Sequence, residues 1–217
     1  MSAPDTVWRG RFIHVVKDGA WEYAARNDDI DAAVIVAIDG DDVLLVEQYR
    51  IPAGRVCLEL PAGLVGDEGE AESVAAAARR ELEEETGYRA ERIEVLGEFY
   101  SSPGMTSERF SVVRASGLTL VGAGEDGITV HRVARGAVAG FVAERRAAGV
   151  GIDAKLLLMM GLGEVAGPRF STHCHPGESR DRSRSSVSFR PLRDPSFRWG
   201  DGVLRGDGVV QGDGSAA

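Results

Sequence analysis

Two stretches of the chain, 32–38 and 43–48, are apolar almost without interruption, and they flank the turn segment Asp39-Gly40-Asp41-Asp42. Short apolar runs bounded by turn residues are the pattern of strands covered on both faces. Weaker strand signals recur at 56–60, 93–100, 109–115 and 128–133. Near the start, 7–23 alternates around the turn Lys17-Asp18-Gly19-Ala20, with Trp8, Phe12, Val15, Trp21 and Tyr23 as its apolar side chains. A hairpin of that size needs a partner surface to be stable. Helical spacing predicts helices over 73–86, 137–148 and 154–164. Strands and helices that both carry apolar faces predict an α/β fold, a mixed sheet sandwiched between helices. From 167 onward both periodicities vanish and Ser, Arg, Gly and Pro dominate, which predicts a disordered tail. The expected organisation is therefore an N-terminal strand extension over 1–30, a main domain over 31–166, and the tail over 167–217.

The helix over 73–86 changes the picture, because its polar face carries several carboxylates. Residues 58–65 read as a short strand entering a loop marked by Pro61 and Gly63, and 66–71 lead into the helix. Glu81, Glu84 and Glu85 stand at i, i+3 and i+4, so they share one face, while Val74, Ala78 and Leu82 form the opposite, buried one. Clustered like charges cost stability unless a cation joins them, and an all-oxygen set suits Mg²⁺ or Mn²⁺. A solvated helix in an acidic protein, with Arg80 and Glu84 as a plain i,i+4 pair, accounts for the same residues without a metal.

Composition narrows the partners. The chain has 217 residues, 43% of them hydrophobic, enough for one sizeable core. Its net charge of −9, from 25 basic and 34 acidic residues, argues against a nucleic-acid surface, which demands a basic patch. No apolar run is long enough to cross a bilayer and the N-terminus lacks secretory order, so the cytoplasm is the expected location. The two cysteines, Cys57 and Cys174, lie far apart, which indicates neither a disulfide framework nor a thiolate metal site; Cys57 reads as a buried strand residue. His173, Cys174 and His175 lack further spaced ligands and read as a polar segment of the tail.

Gly66, Glu72, Arg80, Glu81, Leu82, Glu84, Glu85, Gly87 and Tyr88 fill every fixed position of the Nudix box, and on this motif the chain resembles the Nudix hydrolases. The resemblance implies a Nudix fold in which Glu81, Glu84 and Glu85 are the principal ligands of Mg²⁺ or Mn²⁺. It also implies that Glu72 supports that set, that Arg80 holds the helix carboxylates in place, and that Gly63 or a neighbour lends a backbone carbonyl. The Pro-Ala-Gly glycine, Gly63, lies three residues before Gly66, so the loop is longer than the common form.

Within the family, three segments resemble ADP-ribose and nucleoside-diphosphate-sugar pyrophosphatases: Glu47-Gln48-Tyr49-Arg50-Ile51-Pro52, Glu59-Leu60-Pro61-Ala62-Gly63, and Ser101-Ser102-Pro103-Gly104-Met105-Thr106-Ser107-Glu108. Ile152-Asp153-Ala154-Lys155 is a fainter match. The resemblance covers about Trp8 to Gly163 and implies hydrolysis of ADP-ribose to AMP and ribose 5-phosphate by a homodimer whose N-terminal strands help build the partner's pocket. Expected substrate contacts are Arg50, whose fork suits a phosphate or ribose, Arg26, Gly104, Glu108, and Trp21 as a stacking platform. The catalytic set would be Arg80, Glu84 and Glu85, with Glu125 in the loop 122–127 as first choice for the general base and Asp126 second. Alternatives are a GDP-mannose or other nucleotide-sugar pyrophosphatase, a sanitiser of oxidised nucleoside triphosphates, and, from another class, a non-catalytic ligand-sensing or protein-binding module.

Overall fold

The computed structural model describes residues 4–27, 30–66 and 72–163; the expected tail lies outside the described residues. The central feature is the pair β4 (Asp31–Asp39) and β5 (Asp42–Arg50), joined by the turn at Gly40. Ala33, Val34, Ile35, Val36 and Ala37 are all buried. Val34 and Val36 join one core cluster and Ala33, Ile35 and Ala37 the other, so alternate residues of a single strand feed both layers. That two-sided burial is what the uninterrupted apolar run encodes.

β4 and β5 pair only at their turn end, through Ile38–Val43 and Asp39–Asp42. Beyond those rungs they diverge. β4 runs parallel to β9 (Arg109–Leu120) and takes β7 (Ala62–Val65) antiparallel at its start. β5 pairs antiparallel with β10 (Thr129–Ala134) and with β6 (Arg55–Glu59). β8 (Tyr88–Tyr100) closes one edge on β9, and β11 (Gly151–Ile152) closes the other, parallel to β6. One layer over this sheet is α1 (Val74–Thr86), which contributes Ala78 and Leu82. The other is α2 (Val138–Ala147) with α3 (Ala154–Gly161), which contribute Val138, Val142, Leu156 and Met159. The expected α/β/α sandwich with a mixed sheet is present.

Several local expectations need correction. The N-terminal segment is a separate three-stranded sheet of β1 (Asp5–Arg9), β2 (Ile13–Asp18) and β3 (Trp21–Arg26) and not a single hairpin, because the chain turns back after Arg9 as well as at Gly19. Residues 62–65 form a strand where a loop was expected. β8 starts at Tyr88, directly after Gly87 ends the helix in a left-handed conformation at φ 73°, and not at Ile93. Val74 is only half-buried. Cys57 is half-buried too, at the lip of a cavity and not in the core.

A buried ion pair ties the second layer to the sheet. Arg145 of α2 donates to both oxygens of Glu47 on β5, at 2.5 and 2.8 Å. His131 of β10 lies 3.6 Å from the same carboxylate and packs on Phe141, ring centres 5.1 Å apart. Burial alone would push the Glu47 carboxyl up, but Arg145 and then His131 hold it below its usual range.

Leu82 is fully buried on the face of α1 turned to the sheet. Leu82→Ala is expected to cost about 2–5 kcal/mol in urea unfolding; a loss under about 1 kcal/mol would mean that α1 is not anchored by this stripe.

Candidate active site

The N-terminus of α1 is held by Ser73, whose Oγ accepts from the Ala76 amide at 3.2 Å. After thirteen helical residues Gly87 stops it. Between them the box carboxylates are arranged around one guanidinium. Arg80 donates to Glu81 at 2.8 Å and Glu84 at 3.0 Å, reaches both oxygens of Glu72 at 3.3–3.4 Å, and touches the Leu64 carbonyl at 3.3 Å. Its pKa is held above even the ordinary arginine value, by the Glu72 hydrogen bonds first and then against the opposing effect of burial. Arg80 thus lies hydrogen-bonded between Glu72, Glu81 and Glu84. Glu81, Glu84 and Glu85 do not form one uniform polar face, however: Glu84 is half-exposed, while Glu85 turns inward and is only 7% exposed.

Strand β7 lies against this helix. The Ala62 amide donates to Glu85 Oε2 at 3.1 Å. A Cβ built on Gly63 would collide with the carboxyl carbon of Glu81, and Gly63 has no positive φ that would otherwise call for glycine. Gly63 is therefore glycine because a carboxylate needs the space beside its backbone. Burial pushes Glu85 up to about 7, the Glu81 and Glu125 charges push the same way, and the Ala62 amide and Arg50 pull it down.

The loop 122–127 docks on the end of the same helix. The Val121 amide donates to the Gly87 carbonyl at 2.8 Å, and a Cβ on Gly124 would strike the Glu85 carbonyl. Gly124 is thus required for close packing and not for freedom of movement. This docking brings exposed Glu125 within electrostatic reach of Glu85.

On the other side of β7 opens a cavity of about 850 Å³, with Ala62, Gly63 and Leu64 as part of its wall. It occupies the wedge where β4 and β5 diverge, lined by Val34 of β4 and Arg50 of β5. All of its charged groups except Arg55 come in pairs. Arg50 grips Glu59 of β6 with both nitrogens, at 2.8 and 2.7 Å. Arg26 of β3 bonds Glu108 at 2.7 Å, and Lys155 of α3 pairs with Asp153 at 2.6 Å. Glu108 would be raised by its burial but is held low by Arg26 and Ser101.

The expected residues divide accordingly. Arg26, Arg50, Glu108 and Gly63 line this cavity, and Glu81 and Glu85 stand directly behind its β7 wall. Gly104 lies outside it, in the turn that positions Glu108: β3 pins this turn through Ala24, whose amide donates to the Met105 carbonyl and whose carbonyl accepts from Ser107. Trp21 sits at the far end of β3, opposite Asp18, 63% exposed and away from the cavity. Sequence reasoning gave no role to Glu59. Its signal was a carboxylate ending an apolar strand, which a buried position tolerates only with a partner such as Arg50.

A folded pKa of about 7 for Glu85, above the ordinary 4.5, means that the folded state resists ionisation. Stability is lost as pH rises from 4.5 toward 7, and the loss is complete above it. In EDTA, Glu85→Gln is expected to be the more stable protein at pH 8, by on the order of 3 kcal/mol, with the advantage fading toward pH 4.5. Thermal melts across that range check it; a pH-independent difference would count against an uncompensated buried carboxylate.

Comparison with known proteins agrees with this geometry. The NUDIX domain model matches residues 29–131. An ADP-ribose pyrophosphatase of Escherichia coli O157:H7 is 35% identical over 157 residues, covering 61% of this chain and 74% of that protein. A methanol dehydrogenase activator of Bacillus methanolicus is 42% identical over 87 residues, covering 40% of this chain and 45% of that one. Among solved structures, an ADP compounds hydrolase superposes with a TM-score of 0.55 at 25% identity, over 75% of this chain and 94% of that one. The chain spans about half the length of the first curated relatives it matches, 54%, 49% and 45%. With the box complete, the carboxylates gathered on α1 against β7, and an aligned relative three-quarters covered, the chain belongs to the Nudix hydrolase family.

Proposed function

We propose that this protein is a divalent-metal-dependent pyrophosphatase that hydrolyses ADP-ribose to AMP and ribose 5-phosphate. The observation that carries the reading is β7, one thin wall with the box carboxylates behind it and a cavity of paired cations and carboxylates in front. The names of the Escherichia coli relative and the ADP compounds hydrolase point the same way.

The carboxylates suit a hard cation. Glu85 is buried without a full counter-charge, and Gly63 leaves Glu81 a space that any side chain would fill. Glu81, Glu84 and Glu85 would hold Mg²⁺ or Mn²⁺, with Glu72 in support and the Gly63 carbonyl beside them. Such an ion polarises a phosphoryl oxygen and makes a bound water acidic. The chain's own groups do the rest. Arg50 and Arg26, each oriented by a carboxylate, bind and align the diphosphate. Arg80 keeps the carboxylates in register. Glu125 takes the proton from the attacking water, which adds to one phosphorus as the bridging P–O bond breaks; the products are two phosphomonoesters.

A homodimer belongs to the same reading. The N-terminal sheet and its turn carry Trp8, Phe12 and Trp21 at 54%, 68% and 63% exposure, apolar surface whose burial a second copy would reward. In such a dimer Trp21 stacks on the partner's nucleobase and not on its own. Among the described residues no helix is long and apolar enough to cross a membrane, and the cytoplasm is the location we propose.

Phosphatase-coupled turnover of ADP-ribose, GDP-mannose, UDP-glucose, NADH and 8-oxo-dGTP, with Mg²⁺, Mn²⁺ or EDTA, tests the assignment. ADP-ribose is expected to lead, with metal required. Preference for a nucleotide sugar would move the substrate and keep the site, and no turnover of any compound would overturn the enzymatic reading in favour of a binding module. Glu84→Gln is expected to lower kcat by at least about a hundredfold without unfolding the protein. Gly63→Ala should likewise cost turnover more than stability, because its Cβ displaces a movable side chain and not backbone; full activity in either variant would refute the ligand set.

A further inference from the structure

We propose that a second cavity, continuous with the first, is a phosphomonoester subsite built from Arg55 and Arg146. It has a volume of about 520 Å³ and lies between the β6–β11 edge and the turn after α2, with Arg55, Gly151 and Ile152 lining both cavities. The cations of the main cavity divide into two kinds. Arg26, Arg50 and Lys155 each have a carboxylate at 2.6–2.7 Å. Arg55 has none among the described residues, and neither does Arg146 across the second cavity. The acids nearest this wall are already committed, Glu59 to Arg50 and Asp153 to Lys155. In a chain with 34 acidic and 25 basic residues, two unpaired guanidiniums facing one concave surface leave an anion's place open.

The site is built and not incidental. Gly151 pairs with Cys57, and a Cβ there would fall 2.8 Å from the Cys57 sulfur and 3.3 Å from Arg55 Cδ. The missing side chain lets the stem of Arg55 lie along the strand at the border between the cavities. Of the remaining walls, Val142, Val150 and Leu157 have apolar side chains, and no carboxylate lines the cavity. Two arginine forks suit the dianionic face of a phosphomonoester better than a monovalent ion. The inference rests on the pyrophosphatase reading and deepens it: beside ADP-ribose the site accepts a form that carries a further phosphomonoester, which occupies this cleft.

The test has two arms on the full chain. Calorimetric titration with inorganic phosphate in EDTA is expected to show saturable binding, weakened about tenfold by Arg55→Ala and by Arg146→Ala. With metal, the ratio of kcat/KM for 2′-phosphorylated ADP-ribose over ADP-ribose is expected to fall about tenfold in Arg146→Ala. Loss of phosphate binding with an unchanged ratio would keep the anion site but assign it to a free ion, overturning its role in substrate choice. No change in either arm overturns the subsite altogether. If wild type hydrolyses neither compound while phosphate binding still depends on Arg146, the subsite stands and the pyrophosphatase reading fails. Arg146 is exposed, so an unchanged melting temperature is the expected control.

Discussion

Everything at the site depends on how near the backbone of β7 comes to α1. The contact is intimate enough that one peptide N–H satisfies Glu85 and one glycine makes room for Glu81. A carboxylate taken from water loses hydration that only hydrogen bonds or a cation restore. Here the restoration is partial: an amide for Glu85, a shared guanidinium for Glu72, Glu81 and Glu84. The helix is thereby held in a charged state that a folded protein without a function would have little reason to maintain. The apolar side of α1, through Ala78 and Leu82, supplies the burial that offsets this cost.

The parts of the fold legible in the sequence were those with enough length for a period. β4 and β5 announced themselves by an unbroken apolar run, and α1 by its cap, its stripe and its terminal glycine. What stayed hidden had no period to show. β7 has four residues and β11 two, and Pro61 and Gly63 look like loop signals until the helix that presses on Gly63 is in place. The site followed the same division. The box could be read because its residues lie within one helix and the short segments either side of it. Arg50 and its partner Glu59, like the two unpaired arginines, are brought together only through strand pairing and crossover, which no local spacing encodes.

Glycine illustrates why residue type underdetermines its reason. Three glycines within 122–127 would by themselves suit a freely moving loop. In the structure Gly87 and Gly124 are small because another backbone occupies the place of their side chains. Glu125 therefore owes its position near Glu85 to a docked loop anchored by the Val121 and Gly122 amides on the Gly87 carbonyl. If Glu125 is the base, as we propose, a docked loop lowers the ordering cost that a swinging one would bear.

The divergence of β4 and β5 has an evolutionary side. Because the two strands share only the rungs beside their turn, the space between them comes from the ladder and not from the side chains that line it. Arg26, Glu108 and Lys155 reach that space from a separate sheet, a loop and a helix, none of which helps hold the wedge open. Mutation can therefore rewrite what the cavity recognises while the hydrogen-bonded frame stays untouched. One scaffold can wander among related ligands without passing through an unfolded ancestor.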